Sequence, residues 1–465
     1  MTDLDLGGLS LDEAEREIYA HIISRNPEHR FEPTTDRVRA ACEALGDPQS
    51  SFRVVHLTGT NGKTSTARMT ESLIREHGLR TGLFTSPHLT SVRERIQIDG
   101  EPISQEDFVR LWTDVAPIIH LVDARSQQEG GPRLSFFEVL VVLAYAAFAD
   151  APVDVAVIEV GMGGVWDATN VADADVAVIG PVAMDHQDYL GDSLVDIAAE
   201  KSGIIKDGSV AVIAEQSEPV VPVLRAAADE RAASSLWEGD QIEVVDRQPG
   251  VGGQLVTLRT PAATYAEIFV PLYGAHQAHN ALLALAAVEA LMAGGGEPRA
   301  LVGEIVEAGF AGVSSPGRLE AVRTSPMILV DSAHNPHGVD ALVDALEESF
   351  TFEALVGVVG VLQDKDAEGI LGGLEPALDH IVITASSSPR AIPADELGEL
   401  AIEVFGEDRV TIEPKLPDAI DAAVQRAERD HDMGAGVIVV GSVTLVADAR
   451  ILLDADKRKG AGQAR

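Results

Sequence analysis

Apolar and polar residues are arranged along the chain in blocks that predict the strands and helices of an α/β protein. Runs that are apolar at nearly every position are typical of parallel strands covered on both faces, and they occur at Phe52–Leu57, Val153–Val160, Asp175–Ile179 and Val210–Ala214. Helical spacing predicts helices at Leu11–Ser24, Asp36–Leu45 and Ser135–Phe148, with a surface loop at Arg125–Leu134. We therefore expect a doubly wound, mostly parallel sheet in this part of the chain.

The pattern changes twice in the rest of the chain. Between Gln241 and Leu272, short alternating segments separated by turns predict a small antiparallel appendage. Gly, Ser and Pro then cluster at Gly309–Pro316. A second α/β series follows, with strands predicted at Met327–Val330, Leu355–Val361, His380–Thr384, Val410–Ile412 and Val437–Val440. These features predict a first domain at 1–310 and a smaller, Rossmann-like domain at 316–465, which ends in a polar tail at 456–465.

Charge and composition exclude several classes of function. The chain has 465 residues with a formal net charge of −39, which argues against nucleic acid as a partner because phosphate neutralisation needs a basic face. No apolar run reaches the roughly 18 residues of a membrane span, and the N-terminal residues lack the pattern of a signal peptide. The single cysteine, Cys42, fits a reducing compartment. We expect a cytoplasmic protein that binds anionic substrates through local basic groups and bound cations.

The sequence TGTNGKTS begins at Thr58 and lies between a predicted strand and a predicted helix. Glycines let backbone N–H groups approach phosphates, the helix N-terminus adds positive potential, Lys63 reaches the terminal phosphates, and Thr64 offers a hydroxyl to Mg²⁺. The usual spacing would place a glycine at position 57, where the chain has Leu57. The strand and helix on either side favour a nucleoside-triphosphate site over an ordinary βα turn.

Polar residues also follow other predicted strands of the first domain, where ligands bind in open α/β sheets. Glu159 comes at the end of one strand and is a candidate Mg²⁺ ligand, although it could instead cap the glycine turn that follows it. His186 follows the next strand, where a lone histidine is more often structural. Lys201 lies before a predicted strand entry, and its local sequence predicts a side chain that faces solvent.

The second domain offers a similar set of candidates. Arg318 follows the linker, where a planar cation can close over a triphosphate. The sequence DSAHNP, which begins at Asp331, follows the first strand of this domain. Ser442 opens the helix after the last strand, and a helix N-terminus is receptive to anions.

Many motifs of the chain occur in an order that identifies a family. They are TGTNGKTS, TSPHL, FFEV, IEVGMGGVWDATN, MDHQDYLG, AAEKSGIIK, GAHQAHN, GRLE, DSAHNP and GSVTLVAD. From about Leu9 to Arg450, the chain resembles the folylpolyglutamate synthases and bifunctional dihydrofolate synthases, which are ATP-dependent amide ligases of the Mur ligase superfamily.

This resemblance implies roles that the residues alone do not give. ATP would be bound by Asn61, Gly62, Lys63, Thr64, Asn280, Arg318 and Asp331. Two Mg²⁺ ions would be arranged by Thr64, Ser86, Glu159, His186 and a carbamylated Lys201. The wall beside the pterin would comprise Phe136, Phe137, Trp166, Asp167 and Ala168, and glutamate would enter at His334 and Ser442. Catalytic roles would fall to Lys63, Lys201 and His334.

The implied reaction converts a carboxylate into an amide. ATP would phosphorylate the carboxylate of a folate or of dihydropteroate, and the amine of L-glutamate would then displace phosphate. Two other functions stay open, namely a cell-wall ligase of the same superfamily and a nucleotide-driven switch. A cell-wall ligase would carry a further nucleotide-binding domain before the phosphate loop, whereas here the loop begins near residue 58. We expect a monomer, and the sequence does not choose between dihydropteroate and reduced folates.

Overall fold

The computed structural model describes Leu4 and residues 6–25, 33–430 and 434–454. Its described residues divide into two compact units. The first unit takes in the residues up to Asp246 together with Val256–Phe269 and His279–Val313. The second unit takes in Arg247–Leu255, Val270–Ala278 and the residues from Ser314 onward. The predicted polar tail at 456–465 lies outside the described residues.

An eight-stranded sheet forms the centre of the first unit, in the order β4-β3-β2-β5-β1-β6-β7-β8. Its strands are β1 Arg53–Thr58, β2 Thr81–Phe84, β3 Ile96–Ile98, β4 Glu101–Pro102, β5 Val155–Glu159, β6 Val176–Ile179, β7 Val210–Ile213 and β8 Ser234–Trp237. In this spatial order, all neighbouring strands between β2 and β8 (β2-β5-β1-β6-β7-β8) pair in parallel. Strand β3 pairs antiparallel with both β2 and β4. All residues of β5 and β6 are buried, which confirms the doubly wound, mostly parallel sheet.

Helices precede, separate and follow the strands of this sheet along the chain. They are α1 Leu11–Ile23, α2 Asp36–Ala44, α3 Lys63–Glu76, α4 Gln105–Gln128, α5 Phe136–Asp150, α6 Gln187–Leu190, α7 Leu194–Lys201, α8 Val221–Glu230, α9 Ala275–Ala293 and α10 Gly303–Ala311. Ser135 caps α5 because its hydroxyl accepts from Glu138 N while the Glu138 side chain accepts from Ser135 N. The predicted loop at Arg125–Leu134 is wrong for its first residues, because α4 continues to Gln128.

A three-stranded sheet follows the parallel sheet in sequence. Its strands are β9 Glu243–Gly250, β10 Gly253–Arg259 and β11 Thr264–Val270, in the order β11-β10-β9. Such short connections permit only antiparallel pairing, since a parallel crossover needs a dozen residues or more. This sheet confirms the predicted antiparallel appendage.

A six-stranded sheet forms the centre of the second unit, in the order β12-β13-β17-β14-β15-β16. Its strands are β12 Glu320–Thr324, β13 Met327–Val330, β14 Ala354–Val359, β15 His380–Ile383, β16 Val410–Ile412 and β17 Ala435–Val440. Only β12 is antiparallel to its neighbour. The helices are α11 Pro336–Ser349, α12 Ala367–Leu374, α13 Ala394–Phe405, α14 Leu416–Asp430 and α15 Val443–Leu452. Among the described helices of the chain, none has the length and apolar character to cross a membrane.

Candidate active site

The phosphate loop connects β1 to α3 through two glycines with positive φ. Gly59 has φ +154° and Gly62 has φ +81°, conformations that favour glycine. A Cβ atom at Gly62 would lie 2.6 Å from Asn280 Oδ1, and one at Gly59 would lie 3.1 Å from the Cα of Gly180. The loop is therefore tightly packed, and Asn280 of α9 lies directly against it.

Lys63 begins α3, and its side chain folds back over the loop. Its Nζ donates to Gly59 O at 3.0 Å and to Thr60 O at 3.1 Å. This places a positive charge beside the N-terminus of α3, where the helix dipole also favours anions. The loop thus has the two features that the predicted phosphate site needs.

Glu159 ends β5 beside β1, where it is paired with Leu57 in the sheet. The carboxylate is buried, and it accepts from Thr64 Oγ1 at 2.9 Å and from Ser86 N at 3.1 Å. Three predicted Mg²⁺ ligands are thus brought together from α3, β5 and the loop after β2. The residues fit Mg²⁺, because this ion takes oxygen ligands and is usually held by one or two carboxylates plus waters and phosphates. The described residues contain no group of three or more His, Cys, Asp or Glu that could hold a metal ion.

The loop after β6 carries His186 and is hydrogen-bonded to the phosphate loop. Thr60 N donates to Pro181 O at 2.9 Å, and Thr60 Oγ1 donates to Ala183 O at 3.0 Å. His186 lies just before α6 with φ +53°, and its Nε2 lies 3.9 Å from Asp185 Oδ2. The metal-binding role of His186 stays a prediction. Thr60, which joins the two loops, was missed because its partners lie more than a hundred residues along the chain.

Lys201 is buried at the end of α7, so the expectation that it faces solvent is wrong. Its Nζ donates to Gly59 O at 2.9 Å, the same carbonyl that accepts from Lys63. Burial, together with the charge of Lys63, lowers the pKa of Lys201 to about 7. The two lysines therefore converge on the phosphate loop, and Lys201 reaches neutral pH with a substantial fraction of free amine.

The predicted pterin-side residues lie on α5 and on the loop after β5. Phe137 packs so closely on this loop that a Cβ atom at Gly161 would lie 2.5 Å from its Cζ. Asp167 is buried, and it accepts from Met162 N and Thr169 N at 2.9 Å each. Trp166 and Ala168 flank Asp167 in this loop; Trp166 N donates to Glu200 Oε1 at 3.2 Å, and the Ala168 side chain is buried. Phe137 thus brings α5 against the loop after β5, and the role of these residues as a wall beside the pterin stays a prediction.

Three residues beside Phe136 were not predicted from the sequence. The Arg95 guanidinium lies 5.1 Å from the centre of the Phe136 ring, and Arg95 Nε donates to His88 Nδ1 at 2.9 Å. The hydroxyl of Tyr19 lies 3.4 Å from His88 Nε2. Burial and the charge of Arg95 lower the pKa of His88 to about 3, so its ring is neutral at physiological pH. His88 belongs to the TSPHL motif, which was the one available signal for this group.

The second unit places its predicted residues at the carboxyl ends of β13 and β17. Asp331 accepts from Leu319 N at 2.7 Å and from Ala333 N at 2.8 Å. Burial raises the pKa of Asp331, and the charge of Arg318 opposes this effect. Arg318 thus lies close enough to the carboxylate to influence its ionisation.

His334 and Ser442 follow adjacent parallel strands. The loops that carry them are joined because Gly441 N donates to Ala333 O at 3.1 Å. His334 Nδ1 donates to Ser332 O at 2.8 Å, because a carbonyl oxygen only accepts. Ser442 is buried and caps α15, since its hydroxyl accepts from Leu445 N at 3.2 Å. Each predicted role of these residues stays a prediction.

Comparisons with known proteins give a consistent result. Residues 129–288 match the Mur ligase middle domain, and residues 317–443 match the Mur ligase glutamate ligase domain. A dihydrofolate synthase/folylpolyglutamate synthase of Mycobacterium tuberculosis is 48% identical over 94% of this chain and 93% of its own length.

Two solved structures have the same fold. Mycobacterium tuberculosis folylpolyglutamate synthase, complexed with ADP and AMPPCP, has a TM-score of 0.90 at 46% identity and covers 96% of this chain and 99% of its own. A folylpolyglutamate synthase complex with AMPPCP and folate has a TM-score of 0.81 at 29% identity and covers 96% of this chain and 100% of its own.

Proposed function

Because the chain belongs to the folylpolyglutamate synthase/dihydrofolate synthase family of Mur ligases, we propose that this ATP-dependent ligase joins L-glutamate to a folate, to dihydropteroate, or to both. The observation that carries this proposal is the cluster at the carboxyl edge of the first sheet. There, Glu159 accepts from Thr64 and Ser86, while Lys63 and Lys201 share the carbonyl of Gly59. Such a cluster suits a nucleoside triphosphate and its metal.

Charge neutralisation is the main task that the reaction sets for this chain. A nucleotide, an acyl carboxylate and glutamate are all anionic, and the protein has a formal net charge of −39. We assign Lys63 to the terminal phosphates of ATP, and Asn61, Gly62, Thr64, Asn280, Arg318 and Asp331 to other parts of the nucleotide. Positive groups held in place at the reacting phosphate stabilise the transition state, because they need no reorganisation as charge develops.

We assign two Mg²⁺ ions to Thr64, Ser86, Glu159, His186 and Lys201. When bound, Mg²⁺ polarises the phosphoryl oxygens and offsets their charge. Glu159 would keep the hydroxyl of Thr64 and the loop at Ser86 in place for this role. A lysine carbamate has two anionic oxygens and would suit a hard cation, whereas a lysine ammonium would be repelled. The burial of Lys201 and its pKa of about 7 support carbamylation, because CO₂ reacts with the free amine.

We assign the two parts of the amide product to different residues. The wall comprising Phe136, Phe137, Trp166, Asp167 and Ala168 would bind the pterin side of the acyl substrate. His334 and Ser442 would bind glutamate, with the domain at 316–465 as the glutamate-ligase domain and the domain at 1–310 as the ATP-binding domain. We further propose that the protein is cytoplasmic, because its single cysteine, Cys42, is buried and forms no disulfide. We also propose that it is a monomer.

A product assay tests the proposed function. The chain is incubated with Mg-ATP and L-glutamate, and dihydropteroate and tetrahydrofolate are offered separately. Products that are heavier by one glutamyl residue, formed with one ADP for each amide bond, support the proposal and show which acyl substrate is used. ATP turnover without acyl substrate or glutamate would instead indicate a nucleotide-driven switch. Turnover only with a nucleotide-linked sugar peptide would indicate a cell-wall ligase.

A further inference from the structure

A buried polar chain runs from the central strand β1 to the predicted acyl-substrate wall. His56 of β1 is completely buried, and its Nε2 lies 2.8 Å from Thr169 Oγ1. The Thr169 hydroxyl in turn forms a hydrogen bond to Asp167 Oδ1. The Tyr145 hydroxyl donates to Thr169 O at 2.6 Å and holds the same residue from α5. The chain of contacts therefore ends at a carboxylate that organises the loop after β5.

Chemistry fixes the direction of these hydrogen bonds. Both oxygens of Asp167 accept from backbone N–H groups, and Thr169 Oγ1 donates its single hydroxyl proton to Asp167 Oδ1. His56 must then carry its proton on Nε2 and donate it to Thr169. Burial and the charge of Lys206 lower the pKa of His56 to about 3, which keeps the ring neutral. His56 Nδ1 is buried and makes no hydrogen bond with any described residue. Among the described residues, the ring therefore forms its hydrogen bond to Thr169 through Nε2 alone.

A second side chain of β1 holds the same loop. Side chains two residues apart in a strand lie on the same face, and Thr58 lies on the face of β1 that carries His56. Thr58 Oγ1 donates to Gly163 O at 2.8 Å. One face of β1 therefore holds the loop after β5 at both Gly163 and Thr169, while the end of β1 continues directly into the phosphate loop.

The second unit contains a similar pair of a buried histidine and a threonine, but among the described residues this threonine binds no carboxylate. His380 Nε2 lies 2.8 Å from Thr411 Oγ1, and His380 Nδ1 is likewise buried with no hydrogen bond among the described residues. Burial also lowers the pKa of His380. Within the described part of the chain, however, the Thr411 hydroxyl makes no hydrogen bond to a carboxylate. His380 is therefore a matched control for the effect of removing a buried histidine.

We propose that His56 is a positioning residue for the acyl substrate, because through Thr169 it fixes Asp167 and the loop 161–168 relative to the phosphate loop. This inference rests on the proposed function, which assigns that loop to the pterin side. His56 itself would touch neither substrate nor ATP. Its loss should thus weaken binding of the acyl substrate while leaving the binding of ATP almost unchanged.

Steady-state kinetics test the proposal. His56→Leu and Thr169→Val should each raise KM for the acyl substrate at least about tenfold, while KM for ATP stays within about twofold. The double variant should be no worse than the poorer single variant, because both changes break one chain of contacts. His56→Gln keeps an N–H at a similar reach and Thr169→Ser keeps the hydroxyl, so both should stay within about threefold of the parent. His380→Leu should leave both KM values unchanged.

The outcomes separate this inference from the proposed function. If the parent forms no glutamyl product, the proposed function fails, and hydrogen exchange of residues 161–169 then decides the positioning role. Faster exchange there in His56→Leu, but not in His380→Leu, supports the link from His56 to the loop. The inference is overturned if His56→Leu and Thr169→Val change KM no more than His380→Leu, or if exchange at 161–169 stays at the parent rate. Should His56→Leu fail to fold, Thr169→Val and Thr169→Ser decide the matter.

Discussion

In the first unit, charged side chains from several elements converge at the carboxyl edge of the sheet, whereas in the second unit His334 and Ser442 each form a hydrogen bond to a residue two or three positions away. In the first unit, Lys63 and Lys201 share one carbonyl and Glu159 bridges two other elements. In the second, His334 donates to Ser332 O and Ser442 caps the helix that it begins. We propose that the two sheets serve different chemistry, the first edge binding phosphate and metal and the second orienting an amino acid.

The largest effect should follow from removing charge at the first edge. Lys63→Ala should lower kcat/KM at least about a thousandfold, or about 4 kcal/mol of transition-state stabilisation, because the cation at the phosphate loop is lost. Lys415→Ala, which removes an exposed lysine of the second unit, should leave kcat/KM unchanged. Turnover by Lys63→Ala within about tenfold of the parent, or 1.4 kcal/mol, would remove the phosphate-loop assignment.

Lys201→Ala should lower kcat at least about a hundredfold, because the carbamate that would hold a metal cannot form. Acetate or formate should restore part of the activity by supplying a carboxylate, and neither should speed up the parent. In ¹³C-labelled bicarbonate, the parent should give a carbamate NMR signal that Lys201→Ala lacks. A parent without this signal, combined with a variant that acetate does not rescue, would contradict the carbamate.

Burial of His56 should make the stability of the first unit depend on pH in the acid range. His56 has a pKa lowered from 6.5 to about 3, so its contribution is complete above pH 6.5 and is lost as pH falls toward 3. The unfolded chain takes up a proton in this window and the folded chain does not. The free energy of unfolding should therefore fall by about 1.4 kcal/mol per pH unit on account of His56 alone.

Tryptophan fluorescence can measure this slope for the first unit, because Trp112, Trp166 and Trp237 all lie in it. Between pH 4 and 6, His56→Gln should show a shallower dependence of the unfolding free energy on pH than the parent. His380→Gln, in the second unit, should leave the slope of this transition unchanged. Equal slopes for His56→Gln and the parent would mean that His56 is not held neutral by burial.

The smallest effect is expected at the carboxyl edge of the sheet in the second unit. Ser442→Ala should raise KM for glutamate by about tenfold and lower the free energy of unfolding by about 1 kcal/mol, because the cap of α15 is lost. Ser104→Ala removes a comparable cap, since Ser104 Oγ accepts from Asp107 N at 3.0 Å. This control should lose similar stability with no change in KM. If both variants leave KM for glutamate unchanged, Ser442 is only a cap.

Sequence patterns predicted the strands and turns whose apolar runs and glycines lie within a short stretch of the chain. The apolar runs of β5 and β6 are continuous, so their burial was evident, and Met327–Val330 and Val410–Ile412 have the predicted bounds. The phosphate loop was evident from its glycines and Lys63. Helix α4 was not predicted, and its last residues were assigned to a loop because residues 125–128 are polar and mostly exposed.

Contacts between distant parts of the chain could not be predicted in this way. Nothing around Lys201 in sequence indicates burial, because its partner Gly59 lies 142 residues earlier. Likewise, His56 looks like an ordinary polar interruption of a strand until Thr169 is placed beside it. The resemblance to a family supplied the role proposed for Lys201 but not the one proposed for His56. Long-range contacts of polar groups are thus the part of the site for which a structure is needed.

A crystal structure with Mg²⁺ and a non-hydrolysable ATP analogue tests the central claim most directly, namely that the carboxyl edge of the first sheet binds the phosphates and their metal. We predict Mg²⁺ at about 2.0–2.1 Å from the Thr64 hydroxyl, with Glu159 in contact directly or through one water and Lys63 on the terminal phosphates. Nucleotide bound elsewhere, or a Glu159 carboxylate far from any metal and turned into the core, would contradict the account.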